Sequence, residues 1–499
     1  MDFSLWIRGL TALIQPSTIG WLILSSVIGY ITGALPGMGA ALTISLLIPI
    51  TYYLDPAVAL IIMGTIFTIC VYGGSLSAIL LNVPGTAGSA ATCMDGYMMA
   101  KNGQAKTALG ISTGASFIGS IGSTILLVVG AQVLLKPMLA LGSSEYFWIT
   151  VLGLTIIASL SDTGMVKGFI GGCIGLLLSF VGQELVTGTY RYTFGSLYLI
   201  SGLELVAIII GFFGVSEVIG MMVGKEISIS KVNKLSGSVW EGMILPFKYL
   251  GATIKSFIIG FLVGVMPGVG YSISTWLAYN EVKRTSKHPE DFGKGSVEGV
   301  IAPEVSNNST VGGSLLPTLL LGIPGSDTAA VILAGMIAHG IMPGPQLLSQ
   351  RADLVYTFFI GLLVAGFFII IMGLAVLPFA AKVTVMPLGI VAPIVTILCF
   401  AGALSINVSV NDVVVVVLTG ILGYVMKKLD YPIVTVVLGF VLGPIMEENM
   451  NRAMLAVGGS IKGLFVSPLS WIFIILVIAS VGQSIYRQLK NKNKKEALV

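Results

Sequence analysis

The chain has 499 residues, 55% of them hydrophobic and 10% charged, with a mean hydropathy of +0.98. An ordinary soluble domain carries about 25% charge, so a large soluble enzyme and a disordered protein are both excluded, and a polytopic membrane protein remains. The formal charge of +4, from 26 basic and 22 acidic residues, is too small an excess to suggest nucleic acid.

One span takes roughly 20 to 25 residues, which leaves room for about 11–12 transmembrane segments and short loops. Glycine, at 63 residues, is about twice its usual share. In a membrane that points to close helix packing or broken helices. The N-terminal MDFSLWIRGLTALIQPST has no charged segment followed by a cleavage site, so no removed signal peptide is expected. It reads instead as a short interfacial helix anchored by Trp6.

The uncharged run 9–54 is too long for one helix and is cut by Pro16, Pro36 and Pro49. Uncharged runs follow at 56–94 and 107–135. Region 145–224 is apolar but dotted with Asp162, Lys167, Glu184, Arg191, Glu204 and Glu217. Segment 224–255 then sets Lys225, Lys231, Lys234, Lys248 and Lys255 against Glu226 and Glu241. By the positive-inside rule it is a cytoplasmic connector between two halves, 1–223 and 256–486. The second half holds uncharged runs at 256–280, 305–326, 328–350, 354–381, 383–411 and 463–486, with a polar loop at 280–298. Lys427 and Lys428 mark a cytoplasmic turn, and the basic tail 487–499 places the C-terminus in the cytoplasm. Cys70, Cys93, Cys173 and Cys399 are not close-spaced, so neither a metal site nor a disulfide is expected.

The strongest signal is an internal repeat. IGYITGALPGMG (28–39) returns as IGFLVGVMPGVG (259–270), offset by 231 residues. GGSLSAILLNVPGTAGSA, from Gly73, returns as GGSLLPTLLLGIPGSDTAA, from Gly312. The second offset is 239 at the GGS and 240 at the Pro-Gly. Duplicated halves with matching Gly/Pro interruptions point to a transporter and to its binding site. The expected fold is an all-α polytopic membrane protein with two repeats and Pro-Gly-broken helices or re-entrant hairpins.

Proline opens a helix and glycine beside it permits unusual dihedrals. In hydrocarbon such a break must be buried in protein or face water. The helix that restarts after it carries free N–H groups and a partial positive charge, which suit an anion. Candidate substrate- or ion-binding residues are therefore Gly37, Gly39, Asn82, Pro84, Gly85, Thr86 and Ser89 in the first half. In the second they are Gly268, Gly270, Ser272, Glu304, Asn307, Asn308, Gly325, Ser326, Asp327 and Thr328. Free carbonyls at half-helix ends are candidate Na⁺ ligands. Asp327, an acid in an apolar run, is read as a carrier of a proton, a cation or a substrate contact, or as a helix cap at a Ser-Asp-Thr start. His339 is expected to be structural, and Glu447 and Glu448 to be an interfacial cap or a partner contact.

Catalytic motifs are missing. The two histidines, His288 and His339, form no HExxH, and there is no P-loop. The chain is read as a non-enzyme without a cofactor, driven by an ion gradient or by another subunit. An intramembrane enzyme using Asp327 or Glu304, and a scaffold subunit without its own substrate path, are the alternatives.

YGGSLSAILLNVPGTAGSAATCMDGYMMAKNGQAKTALG (72–110) and EGVIAPEVSNNSTVGGSLLPTLLLGIPGSDTAAVILAGMIAHGIMPGP (298–345) resemble the large membrane subunit of the tripartite tricarboxylate transporters, as do RYTFG (191–195) and YPIVTVVLGFVLGPIMEENMNRAM (431–454). The resemblance runs over essentially the whole chain. It implies a secondary active importer of carboxylates, citrate among them, in a bacterial cytoplasmic (inner) membrane. It also implies an extracytoplasmic solute-binding protein, a small membrane subunit of about four spans, and coupling by symport to Na⁺ or a proton. The family's motifs fall on Gly33, Pro36, Gly37 and Gly39; Asn82, Pro84 and Gly85; Gly264, Pro267, Gly268 and Gly270; and Glu304, Asn307, Asn308, Pro324 and Gly325. The chain departs from the pattern at Thr86, where an acid is common, and at Asp327, where small neutral residues are. The implied substrates therefore extend to dicarboxylates, aromatic acids and other small organic anions.

Overall fold

The computed structural model describes residues 3–160, 164–184, 188–223, 236–376 and 388–496. Most of them are helical, and a two-residue antiparallel pair, Gly182–Gln183 with Tyr190–Arg191, is the one sheet among them. Eight described helices are long and apolar enough to cross a membrane, or nine counting one bent pair. Val297–Leu321 is a further 25-residue helix, buried from Gly299 to Leu320, whose run of polar residues lowers its hydropathy.

In run 9–54 the chain is interrupted at Pro16 and Pro36, but not at Pro49, which the helix runs through. Pro16 opens helix Pro16–Ala34, Pro36 lies in the break that follows, and Pro49 is tolerated near the end of helix Ala40–Thr51. Helix Pro56–Leu81 starts with proline at its first position and with the Asp55 carboxylate accepting from the Ala57 N–H. It ends at Asn82 in the left-handed region, φ 57°. A short turn, Ala87–Ser89, then leads into Thr92–Met99 and the long helix Ala105–Leu139.

The second half repeats this plan. Helices Val239–Lys248 and Leu250–Val265 meet at an 80° bend at Tyr249. The helical structure thus begins inside the segment read as a connector, whose residues 224–235 lie outside the described set. A break at 266–269 precedes helix Gly270–Thr285, and Val297–Leu321 ends at Gly322, φ 69°, before helix Asp327–Ala338. Asn82 and Gly322 thus end equivalent helices in the same conformation, one that glycine adopts freely and asparagine tolerates.

Pro56–Leu81 and Val297–Leu321 pack against each other at the centre. Glycine lets their neighbours close in. Gly29 and Gly33 approach the backbone of Ile66 and Cys70, while Gly260 and Gly264 approach that of Ser306 and Thr310. Outside the repeat, Ile433–Leu455 packs on Met165–Ser179, where Gly175 meets the Val436 carbonyl and Gly439 meets the Gly172 carbonyl. The N-terminal helix Phe3–Ile14 lies on Ala352–Ile371, with Trp6 edge-on to Tyr356 at 5.1 Å.

Candidate functional site

The four breaks come together in two matched pairs. The Gly85 N–H donates to the Gly74 carbonyl at 3.2 Å, and the Gly325 N–H to the Ser314 carbonyl at 3.4 Å. A Cβ on Gly85 would stand 2.1 Å from the Gly33 carbonyl oxygen, and one on Gly325 would stand 2.4 Å from that of Gly264. Each second break is therefore folded onto the end of the helix that leads into the first. Gly37 and Gly268 turn the first breaks with φ of 87° and 77°, a region costly for any residue with a Cβ.

The pairs also interlock. The turn Ala87–Ser89 packs against helix Gly270–Thr285, while helix Asp327–Ala338 packs against Ala40–Thr51. Gly88 lies so close to Asn307 and Tyr271 that a Cβ there would reach 2.2 Å from Asn307 Oδ1. The Tyr271 hydroxyl donates to Asp327 Oδ2 at 3.5 Å. Gly85, Thr86, Ser89, Gly325, Ser326 and Thr328 are buried; Gly39, Gly268, Gly270, Ser272 and Asp327 are half-buried; Gly37, Asn82 and Pro84 are exposed.

The restarting helices differ in what their first N–H groups face. Ser326 Oγ accepts from the Ala329 N–H, and Asp327 Oδ1 accepts from the Thr328 N–H at 2.7 Å. At the turn Ala87–Ser89 the Ser89 hydroxyl accepts from the Thr86 N–H at 3.3 Å and donates to the Thr86 carbonyl at 2.8 Å, while Thr86 Oγ1 is buried without a hydrogen-bond partner. No side chain caps the helices that start after Gly39 and Val269. The two uncapped starts suit an anion, whereas the start at Asp327 already holds a carboxylate.

The polar run of Val297–Leu321 divides by face. Asn307 reaches the Ala87–Ser89 turn, and its Oδ1 is buried without a hydrogen-bond partner. Asn308 turns away, its Nδ2 donating to the Thr68 carbonyl at 3.1 Å and to Ser120 Oγ at 2.9 Å, with its own Oδ1 unpartnered. Glu304 stands apart from the breaks. Fully buried, it accepts from Ser75 at 2.6 Å and Thr92 at 2.5 Å on one oxygen, and from Ser112 at 2.6 Å and Ser116 at 3.3 Å on the other. A carboxylate in the membrane interior with hydroxyls alone around it needs a proton or a cation nearby to be inexpensive.

These four hydroxyl residues escaped the sequence reading, although Ser112, Ser116 and Ser120 recur every fourth residue of an apolar run, the spacing of one helix face. Asp95 escaped it too. Fully buried, it accepts from the N–H groups of Gly293, Gly295 and Ser296 and from the Tyr279 hydroxyl, tying the first half to the loop that starts Val297–Leu321. His339 hydrogen-bonds Thr51 Oγ1 at 2.9 Å, and Glu447 takes both terminal nitrogens of Arg191, at 2.6 and 2.9 Å. Among the described residues there is no cluster of metal-ligating side chains.

Residues 19–438 match the model of the tripartite tricarboxylate transporter TctA family, a stretch that includes all four breaks. The chain belongs to that family. As a TctA-family protein it is a multi-pass membrane protein with a transport role, and a component of a three-part transporter. It is 33% identical over 490 residues, 98% of this chain and 97% of the other, to an uncharacterized 52.8 kDa protein in the TAR-I ttuC' 3' region of Agrobacterium vitis. It is also 33% identical over 211 residues, 42% of this chain and 87% of the other, to an uncharacterized protein in the TAR-II ttuC' 3' region of the same organism. No solved structure matches.

Proposed function

We propose that this TctA-family chain is the translocating subunit of a secondary active importer of small carboxylates, citrate or a smaller organic acid. It takes its solute from an extracytoplasmic binding protein and works beside a small membrane subunit of about four spans. It lies in a bacterial cytoplasmic membrane with its C-terminus inside, and symport with Na⁺ or a proton drives it. The observation that supports this is the interlocked set of four broken helices, two of whose restarting ends carry no side-chain cap. Carboxylates placed at those ends take the free N–H groups and the partial positive charge there.

The same geometry divides the labour. Asp327 is a poor neighbour for a second anion and a good one for a coupling cation, and the free Oδ1 of Asn307, beside Gly88, is a separate neutral oxygen. Glu304, in its hydroxyl cage, is a second place for a proton or Na⁺.

The test is uptake of labelled mono-, di- and tricarboxylates into cells expressing the three subunits. Each subunit is omitted in turn, and the Na⁺ and proton gradients are varied separately. Uptake that needs all three subunits and one gradient is expected. Uptake indifferent to both gradients, or none of any acid with all three subunits present, overturns the proposal.

A further inference from the structure

The 80° bend at Tyr249 sets helix Val239–Lys248 nearly perpendicular to Leu250–Val265, which continues the apolar path of a span. A helix at right angles to a span lies along the membrane surface, and this one fits that position. It carries Trp240, Ile244 and Phe247 exposed on one side and ends in Lys248. Inside the bend is an open cavity of about 460 Å³. Its lining sets Lys248, Lys255 and Lys287, with His288 beside them, against one acid, Glu298.

That acid is engaged, since the Ser286 hydroxyl donates to Glu298, and His288 faces Glu290 at 3.4 Å. Among the described residues no carboxylate lies within ion-pair distance of Lys248, Lys255 or Lys287. Glu281 affects Lys255 only at longer range. Three lysines thus share one cavity with a single carboxylate, and none of the three is paired with an acid among the described residues. From the same cavity an apolar track leads down the span. Leu250, which lines the cavity, is followed by Ile254, Ile258 and Leu262, four residues apart on one face and each about half exposed.

We infer that this bend is a binding site for an anionic phospholipid, its head-group phosphate among Lys248, Lys255 and Lys287 and an acyl chain along Leu250, Ile254, Ile258 and Leu262. Cationic pocket and apolar track together match the two ends of one lipid molecule, whereas a free anion uses only the first. The lipid neutralises the lysines and pins the surface helix, which packs on Ala105–Leu139 through the close approaches of Gly110 to Val239 and Gly114 to Met243.

The full-length chain, purified in mild detergent and stripped of lipid, is titrated with phosphatidylglycerol, phosphatidylcholine or sodium phosphate, and bound lipid is read by native mass spectrometry. Phosphatidylglycerol is expected to bind at least tenfold tighter than phosphatidylcholine, with sodium phosphate unable to displace it at equal concentration. Each lysine near the surface is worth roughly fivefold, so the variant carrying K248E, K255E and K287E should lose well over tenfold. K462E, on an exposed turn elsewhere, should lose nothing. If charge reversal prevents folding, K248Q, K255Q and K287Q together give the same readout with the stems kept. Equal binding of the two lipids, full retention of phosphatidylglycerol by the triple variant, or displacement by sodium phosphate each overturns the inference.

Discussion

Gly85 rests on the backbone carbonyl of Gly33, so closely that a Cβ at position 85 would lie 2.1 Å from that oxygen. Neither group is at the end of a flexible side chain, so the contact cannot give way locally. Gly85→Val and Gly325→Val should each force the breaks apart and lower uptake more than tenfold, while the protein still reaches the membrane. Normal uptake by both variants, with surface amounts checked by labelling, removes the breaks from the transport path.

Glu304 holds four hydroxyls in place, and its removal leaves them to find other partners. Glu304→Ala should cost about 2–4 kcal/mol of stability, because several buried polar groups lose their acceptor at once. Glu304→Gln keeps the shape and one acceptor oxygen, so it should melt closer to the parent in a thermal shift assay yet lose gradient-dependent uptake. An alanine variant as stable as the parent refutes the cage.

Asp95 should behave as a structural residue. It satisfies three backbone N–H groups and the Tyr279 hydroxyl, so Asp95→Ala takes the acceptor from all four at once. A loss of about 3 kcal/mol or more follows, since hydrogen bonds to charged groups are worth more than neutral ones. Protease sensitivity of the loop at 292–296 is the readout. Tyr279→Phe, which removes a single bond, should show a much smaller change.

Arg191 and Glu447 form a two-pronged pair between the strand Tyr190–Arg191 and helix Ile433–Leu455. Arg191→Lys cannot reproduce both bonds and should destabilise by roughly 1 kcal/mol. Arg191→Glu should do more harm and be partly rescued by Glu447→Arg. Thermal shifts for the two single variants and the double variant show whether rescue occurs.

Glu204 gives a pH dependence. It precedes helix Leu205–Ile209, and burial first, then the nearby Asp412 carboxylate, push its carboxyl above its ordinary value of 4.5. An acid raised in the folded state favours folding most below its ordinary value, and that contribution is lost as pH rises through the folded value. Glu204→Gln should therefore flatten the fall in stability that begins above about pH 4.5, and should be neutral or stabilising at pH 7. A steeper fall in the variant argues against this assignment.

Composition alone decides the membrane class, because so few charged residues cannot cover a soluble surface of this size. The duplicated Pro-Gly motifs locate the four breaks, since proline and positive-φ glycine act on the backbone within a few residues of themselves. Two matters needed the tertiary structure. Sequence similarity aligns the two GGS triplets at an offset of 239, but the fold pairs Gly73 with Gly313, over the carbonyls of Tyr30 and Phe261, and Gly74 with Ser314. The offset is then 240 throughout, because each break closes by a hydrogen bond to the residue eleven positions before it. Glu304, Asn307 and Asn308 likewise read as one polar run, yet the fold sends Glu304 and Asn308 toward the serine face of Ala105–Leu139 and Asn307 toward the break at Gly88. A sequence fixes the order of side chains along a helix, but which neighbour each one meets depends on how that helix is rotated among the others, and long-range packing alone decides that.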